Sequence, residues 1–156
     1  MAVLGSMLSS KEAVSKSIQW VQADFFYKDA HGIIFSAMSN LFERGEPIDT
    51  LSVIELLKQN KDLDAVGGNY FITGLVDSVP TAAHVEKYAK IVMEKALLRR
   101  LINLSHNIAK EAYEDSQEVG EILDNVEQSI FSITQNRLKG GFRQLNPIIL
   151  EAMETL

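Results

Sequence analysis

Histidines and carboxylates are the residues of this chain that could bind a metal ion or transfer a proton. The three histidines, His31, His84 and His106, are isolated in the sequence, whereas a metal site needs two or three ligands about one helical turn apart. Asp62 and Asp64 form an acidic pair in a polar loop, where carboxylates usually solvate the loop or cap a helix rather than perform acid–base chemistry. We therefore predict no metal site and no catalytic residue among them.

Nucleotide binding and nucleophilic catalysis both have recognisable motifs, and this sequence has neither. It contains no GxxxxGK[ST] phosphate loop, and Gly67, Gly68 and Gly74 have the wrong spacing for one. No serine lies in a GxSxG elbow, and there is no cysteine. The chain by itself is therefore not predicted to be an enzyme or to hold a cofactor.

The composition is that of a globular chain with an acidic balance. A length of 156 residues, 46% of them apolar, fits one compact domain or one domain with an appendage. Fifteen basic and 21 acidic side chains give a net charge of −6, which disfavours non-specific binding to nucleic acid. The basic cluster of Lys95, Arg99 and Arg100 favours ion pairing on a helix, with a partner contact as the alternative. The apolar stretches are too short to span a membrane, and the absence of cysteine fits a cytoplasmic protein.

The first 79 residues predict a small helical head. Apolar residues recur at three- and four-residue spacing in stretches 3–8, 33–42 and 51–57, which is the period of an α-helix. Ser9 followed by Glu12 is a capping-box pattern for a second helix, and Asp49 is the expected N-cap of a later one. The fold class predicted is all-α.

The second half predicts a long antiparallel helical hairpin. A helical pattern runs from Thr81 to about Asp115, and Asp115 with Glu118 resembles a cap for the next helix. Gly140-Gly141 is expected to end that helix, and Asn146-Pro147 to begin a short last one. The predicted organisation is a head at 1–79, a hairpin at 80–139, and a hinge with a linker helix at 140–156.

The apolar stripes of the hairpin are wider than one partner helix needs, which indicates an oligomer interface as an alternative to ordinary core packing. The first helix carries two adjacent stripes, one with Leu97 and Leu101 and the other with Leu98 and Ile102. The sequence does not say which residues close the hairpin and which face outward. The candidate interface residues are Leu97, Leu101, Leu104, Ile108, Ile122, Val126, Ile130 and Ile133.

Two further apolar groups are candidates for binding a partner. Tyr113, Val119 and Ile122 flank the predicted hairpin turn, where they either anchor a partner or pack the tip. The last helix carries Ile149, Ala152, Met153 and Leu156 along one side. A helix of about ten residues is only marginally stable alone in water. We therefore expect its apolar side to pack into a groove.

An ordered set of short motifs extends over nearly the whole chain. They are AVLGSML at 2–8, DFF at 24–26, His31 with Ile34-Phe35, GEPID at 45–49, VGG at 66–68, SVPTAA at 78–83, Tyr88-Ala89, Glu94-Lys95, RRL at 99–101 and Glu127 with Ile130-Phe131. In this order and spacing the chain resembles the N-terminal domain of the bacterial replicative DNA helicases of the hexameric DnaB family. It departs from that family in lacking the ATPase domain and the few residues that usually precede the first motif.

The resemblance implies a collar domain that assembles as a trimer of dimers in a hexameric ring, with hairpins pairing in one interface and heads in the other. It implies docking of primase, for which Tyr113, Val119 and Ile122 are the candidates, and of a helicase loader. It also implies that the linker helix docks on the ATPase domain of a neighbouring subunit. The full-length protein would be an ATP-driven DNA-unwinding motor at the replication fork, with ATP and Mg in the missing domain and no cofactor in this fragment.

Two alternatives remain. One is a free-standing helical adaptor or helicase-loading protein without a motor domain. The other is a small helical enzyme or nucleic-acid binder, which the absent motifs and the acidic charge disfavour.

Overall fold

The computed structural model describes residues 1–79 and 81–154, with side chains described through residue 136. Across this part of the chain the regular structure is entirely helical, which confirms the all-α prediction. The helices are α1 (Ala2–Ser9), α2 (Lys11–Trp20), α3 (Asp29–Glu43), α4 (Thr50–Gln59), α5 (Gly68–Asp77), α6 (Val85–Glu114) and α7 (Val119–Glu154), with short 3-10 turns at Ala23–Phe25 and Ala82–His84. None of the helices in this part is both long and apolar enough to cross a membrane.

The chain forms two compact units, Met1–Glu94 and Lys95–Leu156, and the boundary between them lies within α6. The sequence had suggested a boundary at residue 79. In the structure the first turns of α6 belong to the first unit, where Val85, Ala89 and Met93 are buried.

The first unit is built around α1, which contacts α2, α3 and α5. Val3, Leu4 and Met7 are almost completely buried, as expected for a helix that is apolar on all sides and lies inside a domain. Gly5 allows the close approach of α5, because a Cβ at this position would meet the carbonyl oxygen of Leu75. The core therefore depends on a small residue in its central helix.

Two helices of the first unit, α2 and α4, begin at a side-chain cap, and only one of these caps is the predicted residue. Asp49 caps α4 as predicted: its Oδ1 accepts hydrogen bonds from the Ser52 N–H at 2.8 Å and the Ser52 hydroxyl at 2.9 Å. The prediction for α2 was wrong, since Ser10, not Ser9, accepts the bond from the Ala13 N–H. Ser9 is still inside α1, where its hydroxyl donates to the carbonyl of Gly5, and only residue 10 has the extended backbone that a cap requires.

The second unit holds the remainder of α6, a four-residue connection at 115–118, and α7. Asp115 does not cap α7 as predicted; it has a left-handed backbone with φ of 47° directly after α6. Aspartate tolerates this conformation better than most residues, and the chain needs it to reverse direction. The first turn of α7 instead closes on the carbonyl of Glu118, which accepts hydrogen bonds from the N–H groups of Glu121 and Ile122.

Helix α7 is 36 residues long and continues through Gly140-Gly141 and Asn146-Pro147. The predicted helix end at the glycine pair and the separate short helix after it are therefore wrong. Each interior glycine costs only about 1 kcal/mol relative to alanine, so a glycine pair weakens a helix without necessarily ending it.

Candidate interaction surfaces

The seam between α6 and α7 is lined by half-buried apolar side chains of both helices. Leu104 and Ile108 of α6 and Val126 of α7 border a common small cleft. The half-buried apolar positions of the seam are Leu97, Leu104 and Ile108 on α6 and Ile122, Val126 and Ile133 on α7. Their spacing of four or seven residues places them on one side of each helix. Leu104, Ile108, Val126 and Ile133 therefore lie where the two helices meet, and Leu97 and Ile122 continue the same side of each helix.

Leu101 and Ile130, the other two candidates, are 43% and 47% exposed. They belong to a set of large apolar side chains that face solvent in the second unit. The set consists of Leu98, Leu101 and Ile102 on α6 and Leu123, Ile130 and Phe131 on α7. We call these six residues the apolar face.

The opposite side of the hairpin is a shallow polar groove. Asn103 and Asn107 of α6 and Asn125, Gln128 and Ser132 of α7 border it together. Since these polar flanks of the two helices meet on one side of the seam, their apolar flanks meet on the other. The second unit therefore has one amide-rich side and one apolar side. Removing the apolar side from water lowers the free energy, whereas the amide-rich side gives no such gain.

Sequence periodicity alone missed Leu98, Ile102, Leu123 and Phe131 as interface candidates. The sequence did contain a signal for two of them, because Leu98 and Ile102 lie in the second apolar stripe of α6. Periodicity shows that two stripes exist, but only the placement of α7 shows which one remains exposed.

The hairpin tip exposes two of its three predicted docking residues. Tyr113, near the end of α6, is 90% exposed, and Val119, at the start of α7, is 68% exposed. Ile122 is half-buried and lies on the seam side. Tyr113 and Val119 are separated by the short connection between the helices, so they flank the turn as predicted. The linker-docking candidates Ile149, Ala152, Met153 and Leu156 have side chains outside the described residues.

The ring of His31 packs against two aromatic side chains. Its ring stacks on Phe71 at a centroid distance of 5.9 Å and meets the edge of Phe26 at 6.4 Å. Burial lowers the pKa of His31, and the positive charges of the amino terminus and Lys28 lower it further. Among the described residues no three histidine or acidic side chains come together as metal ligands would.

The sequence was compared with protein families, curated proteins and solved structures. Residues 1–94 match the family described as DnaB-like helicase N terminal domain. The replicative DNA helicase DnaB of Geobacillus stearothermophilus is 35% identical over 155 residues, which are 99% of this chain and 34% of that protein. The replicative DNA helicase DnaB of Leifsonia xyli is 38% identical, again over 99% of this chain and 34% of that protein. This chain thus spans about a third of the length of these relatives.

A solved structure gives the same result for the fold. The crystal structure of the N-terminal domain of DnaB helicase from Mycobacterium tuberculosis superposes with a TM-score of 0.80 at 35% identity, covering 84% of this chain and 92% of that one. This chain therefore belongs to the family of DnaB-like helicase N-terminal domains.

Proposed function

We propose that this chain is the N-terminal collar of a replicative DNA helicase, where it assembles the hexamer and docks primase and the helicase loader. The observation that supports this most directly is the match of nearly the whole chain to about a third of proteins named replicative DNA helicase. In this proposal the rest of the protein is the motor, which binds ATP and Mg and unwinds DNA. The collar itself hydrolyses no nucleotide and, with its net charge of −6, binds DNA weakly.

The motor assignment has a direct test. The reading frame beyond Leu156 should encode a GxxxxGK[ST] loop, and the full-length protein should unwind forked DNA only with ATP and Mg. The isolated chain should show no ATP turnover in a preparation free of the full-length protein. A reading frame that ends without a phosphate loop would favour the adaptor function instead.

Self-association is proposed to use the apolar face. Each of its side chains is 43–63% exposed, so covering one contributes roughly 1 kcal/mol and twelve from two copies contribute on the order of 10 kcal/mol. The lowest estimates of the cost of association are about 4 kcal/mol. The difference, about 6 kcal/mol, corresponds to a dissociation constant of roughly tens of micromolar for a dimer. The seam residues are already covered by their own hairpin and add little.

Primase docking is proposed at the tip, where Tyr113 and Val119 are exposed anchors and Ile122 supports the turn from the seam. Tyrosine is enriched among residues whose loss weakens interfaces most. The linker residues Ile149, Ala152, Met153 and Leu156 are proposed to contact the ATPase domain of a neighbouring subunit.

Binding of the primase C-terminal domain from the same organism tests the tip. Tyr113→Ala should weaken binding by about tenfold or more, as expected for an exposed tyrosine anchor, and Val119→Ala should weaken it less, because valine is seldom a hot spot. Tyr70→Ala is the matched control, because Tyr70 is 91% exposed and lies in the head. Unchanged binding by both tip variants, or an equal loss with Tyr70→Ala, would place the primase site elsewhere.

A further inference from the structure

We draw no further inference here: the strongest candidate, the amide-rich groove between α6 and α7 that Asn103, Asn107, Asn125, Gln128 and Ser132 border, carries none because nothing in the structure shows what covers it.

Discussion

At the residue scale, Asp49 shows how one side chain sets the start of a helix. The backbone N–H and the hydroxyl of Ser52 both donate to its carboxylate, and these bonds lower the pKa of Asp49 below its usual value. Asp49→Ala should lower the free energy of unfolding by about 1 kcal/mol, the usual loss for a cap, whereas Asp49→Asn should lose less. Chemical denaturation at neutral pH measures both.

The pH dependence of this cap has a defined sign. Because the pKa of Asp49 is lower in the folded chain, its stabilising effect is present above the unfolded pKa and is lost as pH falls through the folded one. The stability difference between the wild type and Asp49→Ala should therefore shrink in strong acid. A difference that is absent at neutral pH would contradict the cap.

His31 predicts a second pH effect at the residue scale. Its pKa is lowered in the fold, mainly by burial, so the folded chain favours the neutral ring. Stability should be full above the unfolded pKa of about 6.5 and should decline as pH falls through the folded value. His31→Phe keeps an aromatic ring against Phe71 and removes the titration, so its stability should vary less with pH in this range. A variant with an unchanged pH profile would show that His31 is not the group responsible.

Single residues were predictable where the signal is local. Asp49 lies three residues before its bonding partner, so the cap is visible in the sequence. Ser9 was the predicted cap because Glu12 follows it by three residues, but the backbone conformation decides between the two adjacent serines, and Ser10 is the extended one. The exposure of Tyr113 followed from its place beside a turn, whereas the burial of Ile122 on the seam depends on how the two helices face each other.

At the element scale, two glycines in helices predict opposite effects of the same substitution. A Cβ on Gly5 of α1 would collide with the Leu75 carbonyl and lie 2.9 Å from the Ser78 hydroxyl. A Cβ on Gly74 of α5 would meet nothing within 4 Å. Gly5→Ala should therefore destabilise the fold by about 1–3 kcal/mol, and Gly74→Ala should stabilise it by about 0.5–1 kcal/mol.

Thermal or denaturant unfolding of the two variants tests this packing, and each serves as the control for the other. If Gly5→Ala were as stable as the wild type, α1 and α5 would not be as close as described. If Gly74→Ala were destabilising, its open surroundings would be in doubt.

The helices themselves were mostly predictable because their apolar spacing is regular. The short helices of the head and the long α6 appear where the pattern placed them. The errors lie at helix ends. Asp115 resembled a cap but serves the chain reversal, and Gly140-Gly141 resembled a terminus but lies within α7. At such points the intrinsic helix propensity of one or two residues has a smaller effect than the tertiary contacts of the segments on either side.

At the scale of the whole molecule, the account depends on the two unlike sides of the hairpin. The sequence showed more apolar surface than one hairpin can cover, but it did not assign the two stripes. That assignment needs the relative rotation of α6 and α7, which depends on contacts far apart in sequence. The structure separates the seam residues from the apolar face, and the proposed self-association uses the apolar face.

The most direct test of this account is the solution mass of the chain measured by light scattering over a range of concentrations. The wild type should rise from the monomer mass of 17.4 kDa toward twice that value or more as the concentration passes roughly tens of micromolar. Leu98→Asp and Ile130→Asp place a charge on the apolar face and should each keep the chain monomeric without unfolding it. Asn103→Asp adds the same charge on the opposite, polar side of α6 and should associate like the wild type. A wild type that stays at 17.4 kDa throughout, or apolar-face variants that fold and associate normally, would contradict the account.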